Sequence, residues 1–368
     1  MAQSTQSNET IRKLAFGEDK TFETELRRRV NEHFKQSGKS QQGDWRMVLK
    51  TVVILSWFSA SYLLLVFVAR NIWQGLVLDF LLGLSLAGIG FSIQHDGGHK
   101  AYSKRPWVNR LTALTLDMIG GSSYVWRWKH AVVHHHYTNI TGYDTDIERG
   151  GIGRFSPYQK WRPIYRWQHL YFWPLYGLLA IKWELVDDFF NVFTRRLGPH
   201  KIPRPHGFEL GTFIAGKLFF ITWALGIPLL FHPVGAVVFH YAVVASFLGL
   251  FISVVFLLPH CVNESEFPMP RADTGRIESP WAVHQASVTL DFSRHSKVLT
   301  WFLGGLNYHL EHHLFPVICH VHYPAIAGVV EKTCREFGVK YAQHKSFGAG
   351  IASHYRWLRR MGSPDLKA

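Results

Sequence analysis

Four apolar runs of membrane-crossing length constrain this chain more than any other feature of its sequence. They are "VLKTVVILSWFSASYLLLVFVA" (48–69), "WQGLVLDFLLGLSLAGIGFSI" (73–93), "TFIAGKLFFITWALGIPLLF" (212–231) and "VGAVVFHYAVVASFLGLFISVVFLL" (234–258). A hydrocarbon core roughly 30 Å thick takes about 20 residues of helix to cross. In lipid every backbone polar group needs an internal partner, so runs of this kind fold as helices. Lys50, Asp79 and Lys217 interrupt them. The lysines are expected to snorkel to an interface, and Asp79 needs a partner or an interfacial position.

The runs pair. "RNI" (70–72) joins the first two and "HP" (232–233) the last two, so each pair is a tight hairpin. Four crossings return the chain to its starting side. Residues 1–47, the connection 94–211 and the tail 259–368 therefore share one compartment, and 48–258 is the membrane region. Those segments carry most of the Lys and Arg, including "RRR" (27–29) and "RWLRR" (356–360), which predicts a cytoplasmic location. The expected fold is thus an all-α integral membrane protein: two helical hairpins, interfacial helices and a cytosolic helical cap. "LTALTLDMIGG" (111–121) and "LYFWPLYGLLAIKW" (170–183) are too short or interrupted to span, and read either as re-entrant or interfacial helices or as buried helices of the cytosolic cap. The first 45 residues are expected to be loosely ordered, with an amphipathic helix around "FETELRRRVNEHF". The polar start "MAQSTQSNET" shows no cleavable signal peptide.

The net charge of +14 admits a nucleic-acid surface or the cationic flanks of membrane spans. The apolar runs favour the second, and no zinc-finger pattern or basic recognition helix supports the first. Cys261, Cys319 and Cys334 are scattered without CxxC spacing, so reduced thiols are expected rather than a disulfide framework.

Histidine supplies the chemistry. The chain has 22, and three clusters lie outside the apolar runs: "HDGGH" (His95, His99), "HAVVHHH" (His130, His134, His135, His136) and "HLEHH" (His309, His312, His313). Residues three or four apart share a helix face, so each cluster can aim ring nitrogens at one point. One H-x-x-x-H pair is weak; three on one side of a membrane point to metal. No H-E-x-x-H appears, and no cysteine pair suits structural zinc. Imidazole suits zinc, copper, iron and nickel, and eight or nine ligands suit two ions rather than one. Two redox-active irons beside a membrane would do oxygen chemistry on a lipid.

These clusters resemble the three histidine boxes of the membrane fatty acid desaturase family. "WRWKHAVVHHHYTNITGYDTDIE" and "GGLNYHLEHHLFPVICHVHYPAI" resemble its front-end branch, delta-6 acyl-lipid desaturases above all. The resemblance runs from about residue 45 to about residue 360. It implies that His95, His99, His130, His134, His135, His309, His312 and His313 ligate two irons. It also implies a further ligand between the second and third boxes: His260 in "LLPHCVNESEF", with His284 in "WAVHQ" the weaker rival. His136 stands where relatives commonly carry threonine and is left outside the ligand set. His309 stands where front-end relatives usually carry glutamine, which keeps ligation and loosens the regiochemical expectation.

The implied reaction uses O2 and two electrons to place a cis double bond in an acyl chain carried on a lipid or on coenzyme A. No His-Pro-Gly-Gly haem signature is present, so electrons are expected from a separate carrier, a ferredoxin or cytochrome-type protein. Asp96, Asp144, Asp146 and Glu311 are candidates to accept the second ring N–H of ligating histidines. Trp126 and Trp128 are candidate walls of an apolar substrate tunnel. The rival readings are a hydroxylase, acetylenase or ketolase on the same scaffold, and a histidine-rich metal transporter. A transporter would set its ligands near the bilayer midplane, and these clusters lie outside the apolar runs.

Overall fold

Two side-chain caps mark where the first hairpin's helices begin. Asp44 accepts a hydrogen bond from the Arg46 amide ahead of the first span, and Asn71 accepts one from the Gln74 amide ahead of the second. In the computed structural model, which describes residues 14–364, four helices are long and apolar enough to cross a membrane: Trp45–Phe67, Ile72–Gly98, Phe208–Leu229 and Val234–Leu257. Each matches one of the four runs to within a few residues, except that the second helix continues through the first histidine box. His95 therefore rides on a span instead of following one.

The second span is the most buried of the four, and it packs against the first and the fourth. Gly83 permits a close crossing with the fourth, since a Cβ there would meet the Phe247 Cβ at 2.8 Å. Outward faces stay apolar. Val48, Val52, Leu63 and Phe67 on the first span are exposed, as are Ile214, Leu218 and Phe219 on the third. A water-soluble protein does not leave patches of that size uncovered, and lipid is their solvent.

The lysines within the spans do not snorkel. Lys50 is 3% exposed, with its Nζ 2.9 Å from His320 Nε2. Lys217 donates to the carbonyls of Gly120 (2.6 Å) and Glu184 (2.9 Å) and to Asp188 Oδ2 (2.9 Å). Asp79 meets its need for a partner across the bundle, at His240 Nδ1 (2.7 Å). Each is a long-range tie that no local pattern announces.

Between the hairpins, short helices follow one another over Pro106–Ala113, Thr115–Met118, Gln168–Gly177, Leu179–Lys182 and Asp188–Thr194. Leu178, Phe190 and Phe193 stay exposed along this path, while Leu116, Ile119, Phe172 and Tyr176 are buried. The cap contradicts one expectation: residues 14–45 are not loosely ordered. Ala15–Gly17 pairs with Arg276–Pro280 as a small parallel sheet. Thr21–Ser37 buries Phe22, Leu26, Val30 and Phe34. That spacing makes one apolar stripe, and it packs on the helix Tyr323–Glu336. The expectation for residues 1–13 falls outside the described residues. The three cysteines are free and buried, as their scatter implied.

Replacing Lys217 with Met should leave Asp188 buried and uncompensated, destabilising the protein by about 3–5 kcal/mol. Adding Asp188→Leu should restore most of the loss. Thermal unfolding in detergent measures both.

A candidate metal centre built from nine histidines

Two turns of unusual helix put the histidines in place. Residues 89–94 and 127–134 wind with i→i+5 hydrogen bonds, as in His95 N–H to Gly90 O and His135 N–H to His130 O. Such π-type turns inside α-helices recur at functional sites. The wider winding brings residues five apart into register, and His130 Nε2 lies 3.3 Å from His135 Nε2. It lies 3.2 Å from His95 Nε2 as well. The end of the fourth span delivers His260, whose amide bonds back to Leu257 O. The short helix His309–Leu314 delivers the third box.

All nine residues are buried, none more than 7% exposed. Within three groups the donor atoms lie within 4.8 Å of one another: His95, His99, His130 and His312; His134, His260 and His313; and His135, His312 and His313. The first two groups are separate lobes, and the third spans them. His309 joins the second lobe by ring contact, at centroid distances of 4.8 Å to His260 and 5.0 Å to His313.

Outer partners fix which nitrogen faces inward. A carbonyl oxygen can only accept, so His260 Nδ1 donates to Val288 O (3.1 Å) and His309 Nδ1 donates to Leu306 O (2.9 Å). His313 Nδ1 donates to Gln285 Oε1 at 2.9 Å. The Gln285 amide is itself oriented, because its Nε2 donates to His135 O at 3.1 Å. His134 Nδ1 faces Asp144 Oδ2 at 3.2 Å and Asp146 Oδ2 at 3.5 Å. His312 Nδ1 lies 3.3 Å from the Tyr323 hydroxyl. Each ring thereby directs Nε2, with its lone pair, into the cluster.

Those inward atoms are orphans. Nε2 of His99, His260, His309, His312 and His313 is buried with no hydrogen-bond partner. One orphaned buried acceptor costs about 1–3 kcal/mol, so five converging ones need a shared partner. A cation would supply it. Burial, then the neighbouring imidazoles, holds His99, His130, His135, His309, His312 and His313 well below the ordinary imidazole pKa. His260 is pushed down to about 3, by burial first and His134 second. Neutral imidazole is the metal-binding form. His134 is the exception: burial lowers it, but the Asp144 and Asp146 carboxylates outweigh burial and hold it above its usual value. The residues present fit a histidine-ligated metal centre.

Other expected roles divide. Asp144 and Asp146 sit against a box histidine, but Asp96 and Glu311 do not. Asp96 Oδ2 accepts from His320 Nδ1 and Cys319 Sγ, each at 2.9 Å. Glu311 Oε1 accepts from the Tyr341 hydroxyl at 3.0 Å. His284 gives its Nε2 to Thr138 O (3.0 Å) and its ring lies on Phe16 (5.2 Å), away from the three groups that join the boxes. His136 is exposed and stacks edge-on with Phe16. Trp126 lines a cavity of about 120 Å³ that opens beside His130, His134 and His260, whereas Trp128 does not.

Sequence reasoning missed Gln285, Asn139 and Tyr323. Asn139 takes a left-handed backbone (φ 57°) and donates to His260 O and Ser265 Oγ, each at 2.9 Å. Its signal lay in "HHHYTN", an Asn just past the second box, and asparagine adopts φ > 0 more readily than most residues. Gln285 is the immediate neighbour of the His284 that drew attention instead.

Asp144→Asn removes the anionic acceptor behind His134 and should weaken metal binding by about 10- to 100-fold. His136→Ala should leave it unchanged. Metal content against added chelator distinguishes them.

The comparisons with known proteins agree with this geometry. Residues 70–345 match the family model described as "Fatty acid desaturase". An "sn-1 linoleoyl-lipid 6-desaturase" of Arthrospira platensis is 39% identical over 362 residues, covering 98% of each chain. A protein of the same description from Synechocystis sp. is 35% identical over 96% of this chain and 99% of its own. An "Acyl-lipid (8-3)-desaturase" of Physcomitrium patens is 34% identical over 96% of this chain and 74% of its own. With four apolar spans gathered around buried histidine clusters, this chain belongs to the fatty acid desaturase family and is a membrane oxidoreductase that desaturates fatty acyl chains.

Proposed function

We propose that the enzyme is a front-end, delta-6 acyl-lipid desaturase working at a diiron centre on the cytoplasmic side of the membrane. Its ligands are His95, His99, His130, His134, His135, His260, His309, His312 and His313. The convergence of these ring nitrogens into two lobes, linked by the group of His135, His312 and His313, carries the reading. The printed activity of the two relatives that match nearly end to end supports the regiochemistry. The basic segments flanking the spans support the cytoplasmic side.

When bound, the irons supply the one-electron and oxygen chemistry that removes hydrogen from an unactivated methylene, which no side-chain acid or base can do. The protein's part is to hold, orient and shield. Asp144, Gln285, Tyr323 and the carbonyls of Val288 and Leu306 orient the rings of His134, His313, His312, His260 and His309, so that this part of the centre is assembled before substrate arrives. Phe256, Ile252 and Leu257 give the inner cavity an apolar wall suited to an acyl chain. The Asp146–Lys129 pair (3.2 Å) lines the same cavity. O2 is the co-substrate, and a separate ferredoxin or cytochrome-type protein supplies the electrons.

Expression in a host lacking the activity, with gas chromatography and mass spectrometry of total fatty acids, tests the reading. A new double bond at carbon six is expected. An unchanged profile from folded, iron-loaded protein with a competent donor would overturn it. His312→Ala should abolish the product while the spans remain inserted.

A further inference from the structure

Outside the histidine centre, positive charge gathers around a cavity between the end of the second span and the start of the third. A cleft of about 610 Å³ opens there, lined by Lys100, Lys104, Arg110 and Arg127. All four side chains are exposed. The single acid lining it, Glu209, is already paired with Arg127 at 2.9 Å. Net charge in the cleft is therefore strongly positive. Arg110 is held flat over the Phe208 ring at 3.6 Å, so its guanidinium is oriented before any ligand arrives. Lys100 sits in the left-handed backbone region (φ 62°), where a residue without special need seldom goes.

The cleft has an inner wall, Trp126. This residue lines both the basic cleft and the apolar cavity beside the histidines. Its indole lies against the rings of His130 (4.8 Å), His99 (5.1 Å) and His95 (5.8 Å). Gly98 makes this possible, because a Cβ at that position would collide with the Trp126 ring. One tryptophan thus separates a charged vestibule from the reaction centre.

We propose that the cleft seats the anionic, phosphate-bearing head of a glycerolipid, whose acyl chain runs past Trp126 to the histidines. Its position favours a lipid over a soluble thioester. The helix Pro106–Ala113 forms one side and exposes Trp107 and Leu111, side chains suited to anchoring in a membrane interface. A head held there need not leave the bilayer. Fixing the head also fixes the length of chain between the cleft and the centre, so the double bond would be counted from the carboxyl end. This deepens the proposed function by naming the substrate's head chemistry, and it rests on that reading for the direction of the chain.

The test measures binding rather than turnover, so it stands whether or not the product carries its double bond at carbon six. The full-length protein in neutral detergent is titrated calorimetrically with dioctanoyl phosphatidylglycerol, dioctanoylglycerol, inorganic phosphate and coenzyme A. The phosphatidylglycerol should bind at least about tenfold more tightly than the uncharged dioctanoylglycerol, and that advantage should shrink with salt. The double variant Lys104→Gln, Arg110→Gln should lose about tenfold in affinity for it, and Lys160→Gln, at an exposed lysine elsewhere, should lose none. Equal affinity for the two lipids, or an affinity untouched in the double variant, would overturn the proposal. Free phosphate or coenzyme A binding as tightly as the lipid would overturn the lipid assignment. Unchanged lipid binding with slower reduction by an acidic electron carrier would make the cleft a protein-docking face, which also overturns it.

Discussion

The candidate centre hinges on tying Nδ1 of the buried imidazoles of His134, His260, His309, His312 and His313, so that Nε2 is turned inward. A histidine with both nitrogens unpaired would rotate or protonate; one with both paired could hold nothing. Carbonyls of Val288 and Leu306, the Gln285 amide and the Asp144 carboxylate each take an Nδ1–H, and Nε2 is left pointing inward. The cost is a set of orphaned buried acceptors, which a protein tolerates only where a ligand repays it. A metal that takes up those acceptors would couple its binding to the local fold.

Spans and cap serve that arrangement. The second span runs on through His95, so the first box is set by the helix that is most enclosed by its neighbours. The second box needs i→i+5 turns, which α-helical spacing does not suggest. The third box lies on a short helix whose Leu310 amide is held by Asp291 at 3.0 Å. Asp96 then joins the box-one helix to Cys319 and His320 just beyond box three, and Lys50 extends the tie to the first span. A network of this kind is costly to bury and useful for fixing the relative position of its parts. Here the parts are the membrane bundle and the cap, which share the centre between them.

Charged groups that sequence reading treats as interruptions of apolar runs turn out to be the bundle's internal ties. Lys217 with Asp188, Asp79 with His240 and Lys50 with His320 each join segments far apart in the chain. A membrane interior provides no water to satisfy such groups, so they find one another. The same logic explains why Asp96 and Glu311 were misjudged. Adjacent in sequence to box histidines, they point away to other partners, because neighbouring residues on a helix face different directions.

The sequence by itself determined the spans, the two hairpins, the three boxes and the family they resemble. Hydropathy and residue spacing are local properties, and the length of a bilayer crossing is set by lipid. It also marked His260 as a candidate ninth histidine beside its rival His284. Only the tertiary structure decided which of the two lies among the box histidines, which acids back a ring, and which tryptophan faces the inner cavity. Those outcomes depend on contacts between residues 10 to more than 200 positions apart, such as His134 with Asp144, His260 with Val288 and Asp96 with His320. Direction in space, unlike hydropathy or spacing, is fixed only when the distant partner arrives.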